Sequence, residues 1–83
     1  MSREKKIENY YMNLNGFAYD PFFKDNKYGI KVANLYNPEY KAKYFVVSGR
    51  LTLSESNMPR DMQLLVERDI YRNAKIIMGG LNA

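Results

Sequence analysis

The segment from Met58 to Met78 constrains the fold most, because its residue pattern predicts a long helix that must pack on another part of the chain. Pro59 suits the first turn of a helix, and Gly79-Gly80 ends it. One apolar stripe at helical spacing predicts the side that faces the rest of the protein, and it consists of Met62, Val66, Ile70 and Ile77. The preceding residues must therefore provide a complementary apolar surface.

The predicted helix also carries apolar residues outside this stripe. Leu64, Tyr71 and Met78 form a second stripe, and three basic residues lie beside it. A surface helix normally needs only one apolar stripe. Either a helix near the start of the chain covers part of the surplus, or we expect a protein partner, or a second copy of the chain in a homo-oligomer, to cover it. An alternative role for the basic residues is to stabilise the helix dipole, since Asp61 lies in the first turn and the cations follow it. The predicted partner-binding residues are Tyr71, Arg68, Arg72, Lys75, Leu64 and Met78.

A second helix is predicted near the start of the sequence, over residues 3–14. Ile7, Tyr10, Tyr11 and Leu14 recur at the spacing of one helical face. The dipeptide Asn15-Gly16 predicts the end of this helix, because glycine tolerates the left-handed conformation that follows many helices.

Between the two predicted helices the apolar spacing changes to that of strands. Residues 28–36 alternate in polarity, and residues 43–53 give the clearest strand pattern, with Phe45, Val47, Leu51 and Leu53 predicted on one side. Gly49 predicts a bulge within this strand or a close approach by the last helix. Residues 17–24 contain Pro21, which predicts an irregular or edge segment. The expected fold class is therefore α+β. It is a small single domain over residues 1–83 with an N-terminal helix, an antiparallel β-hairpin or three-stranded sheet, and a long C-terminal helix packed on the sheet.

The composition argues against catalysis. The chain has no Cys and no His, which removes the usual zinc ligands, the cysteine nucleophile and the imidazole base. The hydroxyl groups therefore have no histidine to activate them, and the glycine-rich phosphate-binding patterns are absent from the sequence. We expect no enzymatic activity, no catalytic residues, no metal site and no cofactor.

Basic and aromatic residues recur through the predicted strands, and the formal net charge of the chain is +4. Lysine and arginine can meet phosphates while aromatic rings stack on bases, so the pattern predicts a nucleic-acid surface. An alternative explanation is that lysines on strands prevent edge-to-edge aggregation and that tyrosine is a common strand residue. The candidate nucleic-acid-binding residues are Lys31, Tyr36, Lys41, Lys43, Tyr44 and Arg50.

These observations leave several functions open. The leading hypothesis is a small regulator or inhibitor that binds a protein stoichiometrically and occludes its functional surface, in the style of accessory proteins from phages and mobile elements. The alternative is a nucleic-acid-binding accessory protein, and a weaker third is capture of a small anionic ligand such as a nucleotide. The longest apolar run, Tyr44-Phe45-Val46-Val47, is too short to span a membrane, and the expected compartment is the cytoplasm.

Overall fold

The computed structural model describes residues 10–81, which form a five-stranded antiparallel sheet followed by helical segments. Each strand of the sheet pairs with the strand that follows it in sequence, in the order β1-β2-β3-β4-β5. The elements are β1 (Met12–Leu14), β2 (Phe17–Lys24), β3 (Lys27–Asn34), β4 (Lys41–Val47), β5 (Arg50–Ser56), α1 (Arg60–Arg72), α2 (Ala74–Met78) and a terminal 3-10 turn (Gly79–Leu81). No helix within this stretch combines the length and the hydropathy needed to cross a membrane.

Three of the four strand connections are two-residue turns. Their central pairs are Asn15-Gly16, Asp25-Asn26 and Ser48-Gly49, and all six residues have positive φ angles, between 53° and 87°. Two positive φ angles in succession are required by the type I′ turn, whose twist matches that of the flanking strands. These short polar pairs therefore fix both the connections and the strand register.

The turns correct two predictions. Asn15-Gly16 does not end a helix but folds β1 back on β2, so that Met12 pairs with Tyr19 and Leu14 with Phe17. The predicted N-terminal helix is therefore wrong for its described part, residues 10–14, and residues 1–9 of it lie outside the described residues. Ser48-Gly49 divides the single strand predicted over 43–53 into β4 and β5, so that Gly49 lies in a turn and not in a bulge.

The segment with Pro21 is a full strand. Lys24 and Lys27 flank the two-residue turn, so they form the first hydrogen-bonded pair between β2 and β3. Such pairs alternate along the ladder, and Pro21 consequently falls opposite Ile30 in a pair that exchanges no hydrogen bond. The nitrogen of Pro21 therefore points to the β1 side, where pairing with β1 has already ended at Tyr19. Its missing N–H removes no sheet hydrogen bond.

The core lies between one face of the sheet and the helices. The predicted stripe supplies Val66, Ile70 and Ile77, all buried, and Met62 packs against the same cluster. The sheet contributes the other buried members, Phe17, Tyr19, Ile30, Val32, Ala42 and Tyr44, and Met58 closes the cluster. The helix itself is interrupted at Asn73, whose side-chain Nδ2 donates to the Asp69 carbonyl oxygen at 3.0 Å and whose φ is −120°.

The predicted fold is therefore wrong. The sheet has five strands where two or three were expected, and the predicted C-terminal helix over 58–78 is two segments, α1 and α2.

The connection between β3 and β4 is the longest in the sheet and is organised by one side chain. Asn34 is buried, and its Oδ1 accepts hydrogen bonds from the backbone N–H groups of Tyr36 at 2.8 Å and Asn37 at 2.9 Å. Its Nδ2 donates to the Met62 sulfur at 3.6 Å. Asn34 thus links the loop to α1.

Candidate functional site

The face of the sheet that points away from α1 and α2 carries most of the polar and charged strand residues. We call it the distal face. Strand alternation and register place one set of neighbouring residues on it: Ala18, Asp20, Phe22, Lys24, Lys27, Gly29, Lys31, Ala33, Lys41, Lys43, Phe45, Val47, Arg50, Thr52 and Glu55. A register shift between Lys43 and Tyr44 brings Glu55, two residues beyond Leu53, onto this face.

Two phenylalanine rings meet at the middle of the distal face. Phe22, Gly29 and Phe45 stand in one row across β2, β3 and β4. Phe22 lies directly on Gly29, because a Cβ placed on this glycine would be 2.2 Å from the Phe22 Cζ. The two ring centroids are 5.5 Å apart with an edge-on interplanar angle of 75°. Both side chains are half-buried, so the neighbours hold the rings and the rings still reach solvent.

Lysine ammonium groups stand next to these rings. Lys27 Nζ lies 5.5 Å from the Phe45 centroid, and Lys43 Nζ lies 6.0 Å from the Phe22 centroid. These distances are within the range of cation–π attraction. The aromatic pair and the positive charges therefore form one continuous surface.

The neighbouring row across the sheet is charged throughout. Lys31 pairs with Asp20 at 3.9 Å, and Lys43 pairs with Glu55 at 3.5 Å. Lys31 and Lys43 are themselves directly opposite on β3 and β4, an arrangement that repulsion between like charges disfavours.

Positive charge dominates the strands of the distal face. Six of the chain's 13 Lys and Arg residues are on this face. Among the described strand residues, it carries two carboxylates, those of Asp20 and Glu55. The six basic residues are Lys24, Lys27, Lys31, Lys41, Lys43 and Arg50.

A pocket of about 460 Å³ opens at one end of the distal face. Tyr10 lines it and packs over the small buried pair Ala18 and Ala33. Burial, with the Asp20 charge as a smaller cause, raises the pKa of Tyr10. The opposite wall includes Glu39 and Asn57, and the remaining lining residues are Lys31, Val32, Lys41, Ala42, Lys43, Glu55 and Ser56.

Four of the predicted nucleic-acid-binding residues are together on the distal face, namely Lys31, Lys41, Lys43 and Arg50. Tyr36 lies in the β3–β4 loop and is 83% exposed. Tyr44 points to the helices and is 1% exposed, with its hydroxyl donating to Glu67 Oε2 at 2.9 Å. Burial, followed by this hydrogen bond, raises the pKa of Tyr44. Tyr44 therefore presents no surface to a ligand, and its role is structural.

The sequence analysis did not single out Phe22, Phe45 or Tyr10 for the site. A signal for the first two was present, because a glycine within a strand often marks a place where another group approaches closely. Gly29 is such a glycine, and Phe22 is the group that approaches it.

The predicted partner-binding residues lie on the helices and are not equally accessible. Leu64 and Tyr71 are 51% and 57% exposed, whereas Met78 packs against the core. Arg68, Arg72 and Lys75 are exposed, and the apolar residues Leu65 and Ile76 next to them are 53% and 57% exposed. An apolar and basic surface therefore exists on α1 and α2.

Tyr71 also has a structural role at the sheet edge. Val47 and Arg50 flank the last hairpin turn, so the Leu51 N–H points outward from the edge strand β5. The Tyr71 hydroxyl accepts a hydrogen bond from this N–H at 3.1 Å. This bond uses one outward donor of β5, so this part of the edge is a poorer template for another strand.

No protein-family model, curated protein sequence or solved structure matches this chain. Among residues 10–81, no group of three or more acidic, His or Cys side chains stands close enough together to hold a metal ion.

Proposed function

We propose that this protein is a non-enzymatic, cytoplasmic nucleic-acid-binding protein that uses the distal face of its sheet. The observation that carries the proposal is the aromatic pair Phe22 and Phe45, set among six cations on one sheet surface. Positive side chains neutralise phosphates and release their counterions, which supplies affinity that does not depend on sequence.

The aromatic pair favours a single strand over a duplex. Unpaired bases expose their faces and can stack on aromatic side chains, whereas the bases of a duplex stack on one another. Phe22 and Phe45 lie near the middle of the strands, with the Lys27 ammonium group over the Phe45 ring and the Lys43 ammonium group over the Phe22 ring. A base stacked there would bring its own phosphate within reach of an ammonium group.

The test is a titration of a fluorescent single-stranded oligonucleotide, followed by anisotropy at several salt concentrations. The Lys27→Gln/Lys43→Gln variant is compared with Arg68→Gln/Arg72→Gln, which removes the same charge from α1. We expect the first variant to bind more weakly and the magnitude of its slope of log K against log salt to be smaller by about 1.4. The helix variant should keep nearly the affinity and the slope of the wild type. Equal losses in the two variants, or no binding by the wild type at low salt, would refute the proposal.

Stacking is tested separately with Phe45→Leu, which keeps an apolar side chain and removes the aromatic face. We expect a loss of about 1–3 kcal/mol for single strands and a much smaller effect on duplex DNA. An unchanged single-strand affinity would mean that charge alone explains the binding.

A second candidate function is supported by the surface on α1 and α2. Leu64, Leu65 and Ile76 are each more than half exposed and are accompanied by Arg68 and Arg72. Such a surface fits an acidic protein partner that the chain would regulate or inhibit by occlusion.

The Leu65→Lys/Ile76→Lys variant tests this second function, with Lys27→Gln/Lys43→Gln as its matched control. Affinity capture from the native host should recover one protein with the wild type and the control, and lose it with the helix variant. Sedimentation of the same proteins shows whether a second copy of the chain is that partner.

A further inference from the structure

We infer that the pocket lined by Tyr10 and three lysines binds the phosphorylated end of a nucleic-acid strand. The inference rests on the proposed function, and it adds that the pocket fixes the position of the strand end on the distal face. The pocket volume, about 460 Å³, is within the range of about 300–1,000 Å³ that small-ligand sites occupy.

Three ammonium-bearing side chains converge on the pocket from two neighbouring strands. Lys31 and Lys43 are directly opposite in the β3–β4 register, and Lys41 is two residues before Lys43 on the same face. Residues at this spacing along a strand are about 7 Å apart, so flexible lysine side chains from all three positions can reach one phosphate group. Asp20 and Glu55 already offset part of the repulsion between Lys31 and Lys43, and a dianionic group between the two lysines would offset more of it.

The pocket closes the distal face at one end. Tyr10 covers Ala18 and Ala33, so it occupies the surface beyond the pocket on the β2–β3 side. On the other side Asn57 is held firmly, since its Oδ1 accepts the Lys41 N–H at 2.7 Å and its Nδ2 donates to the Glu39 carbonyl oxygen at 2.7 Å. A nucleic-acid strand that stacks on the phenylalanine pair and crosses the charged row therefore has no open path beyond the pocket. This arrangement fits a strand terminus better than an internal phosphate.

The mixed lining favours a nucleotide over a bare inorganic anion. Glu55, which pairs with Lys43 at 3.5 Å, also lines the pocket. Its carboxylate oxygens can accept hydrogen bonds from sugar hydroxyl and base amino groups, which inorganic phosphate lacks. The Tyr10 ring provides an aromatic surface elsewhere in the same lining.

The experiment compares three oligonucleotides of one sequence, carrying a 5′-phosphate, a 3′-phosphate or two hydroxyl ends, in anisotropy titrations at fixed salt. We expect one phosphorylated end to bind about tenfold more tightly than the hydroxyl ends. Lys41→Gln should abolish this preference. Lys27→Gln removes the same charge at the aromatic end of the face. It should weaken the binding of all three oligonucleotides by the same factor and keep the preference for the phosphorylated end.

The other outcomes separate the two proposals. Tight binding with no dependence on the terminal phosphate, or a preference that survives Lys41→Gln, would overturn the pocket assignment and leave the nucleic-acid function standing. If no oligonucleotide binds, the proposed function fails, and adenosine monophosphate and inorganic phosphate are then titrated alone. Binding of the free nucleotide that is lost in Lys41→Gln would make the pocket a mononucleotide site and overturn its assignment to a strand end.

Discussion

The contact between Gly29 and Phe22 leads to a prediction in which one methyl group changes both stability and binding. In Gly29→Ala the new Cβ would meet the Phe22 ring at 2.2–2.7 Å, so the ring has to leave its position on the sheet. Crowding of this kind costs about 1–3 kcal/mol, and the edge-on contact with Phe45 is worth a further 0.5–1.5 kcal/mol or so. Replacing a strand glycine by alanine recovers about 0.5–1 kcal/mol.

The balance is a net destabilisation of about 0.5–4 kcal/mol. In a domain of this size, each kcal/mol of destabilisation lowers the melting temperature by roughly 4–8 °C. Because the displaced ring no longer lies beside Phe45 and Lys43, single-stranded oligonucleotides should also bind more weakly to Gly29→Ala.

A double-mutant cycle isolates the cause. In a Phe22→Ala background the ring is absent, so Gly29→Ala should become stabilising by about 0.5–1 kcal/mol. Urea unfolding of the wild type, both single variants and the double variant measures the coupling. An equal destabilisation by Gly29→Ala in both backgrounds would refute the reasoning, because the clash would then not be with Phe22.

Three further predictions concern polar groups on the helix side of the sheet. Tyr44→Phe removes the hydrogen bond to Glu67 and should cost about 1–2 kcal/mol in urea unfolding, while Tyr36→Phe, in the exposed loop, should change stability by less than about 0.5 kcal/mol. Asn34→Ala removes the acceptor of two backbone N–H groups and should cost about 1–3 kcal/mol, whereas Asn34→Asp keeps a carboxylate oxygen there and should retain most of the stability. Burial raises the pKa of both Tyr19 and Tyr44 above the usual value of 10.0, and the next cause is the Asp69 charge for Tyr19 and the hydrogen bond to Glu67 for Tyr44. The contribution of these two tyrosines to stability should therefore be constant below pH 10 and fall above it as the unfolded chain loses these protons first, by up to about 1.4 kcal/mol per pH unit for each tyrosine. A flat stability profile from pH 9 to 12 would contradict this.

The sequence predicted the buried side of the C-terminal helix because 3.6-residue periodicity is a local property. Val66, Ile70 and Ile77 keep that periodicity even though Asn73 interrupts the helix. The strand count was underestimated because turn-forming dipeptides have more than one use. Asn15-Gly16 is compatible with the end of a helix and with a type I′ turn, and the choice depends on strand pairing that a single segment does not reveal.

The site was only partly predictable for a related reason. The lysines of β3 and β4 were identified from composition, but their position relative to Phe22 and Phe45 depends on register across three strands. The predicted single strand over 43–53 placed Phe45 on the same side as Leu51 and Leu53. The turn at Ser48-Gly49 and the pairing of Val46 with Leu51 put them on opposite faces. Tyr44 was predicted to bind nucleic acid because it lies among basic residues in the predicted strand. Its burial depends on the packing of α1, where Glu67 accepts the hydrogen bond of its hydroxyl.

The order in which the strands pair has a consequence for how the chain reaches its native state. Each sheet partner is the next strand in the sequence, and three of the links are only two residues long, so most of the sheet forms without closing a large loop. Chains dominated by such short-range pairing cross their folding barrier quickly. The Asn15–Asp69 hydrogen bond joins positions 54 residues apart, and it can form only when α1 docks on the β1–β2 hairpin. During synthesis on the ribosome, the sheet would therefore have time to assemble before its covering helix emerges, and its apolar face would stay exposed for that interval.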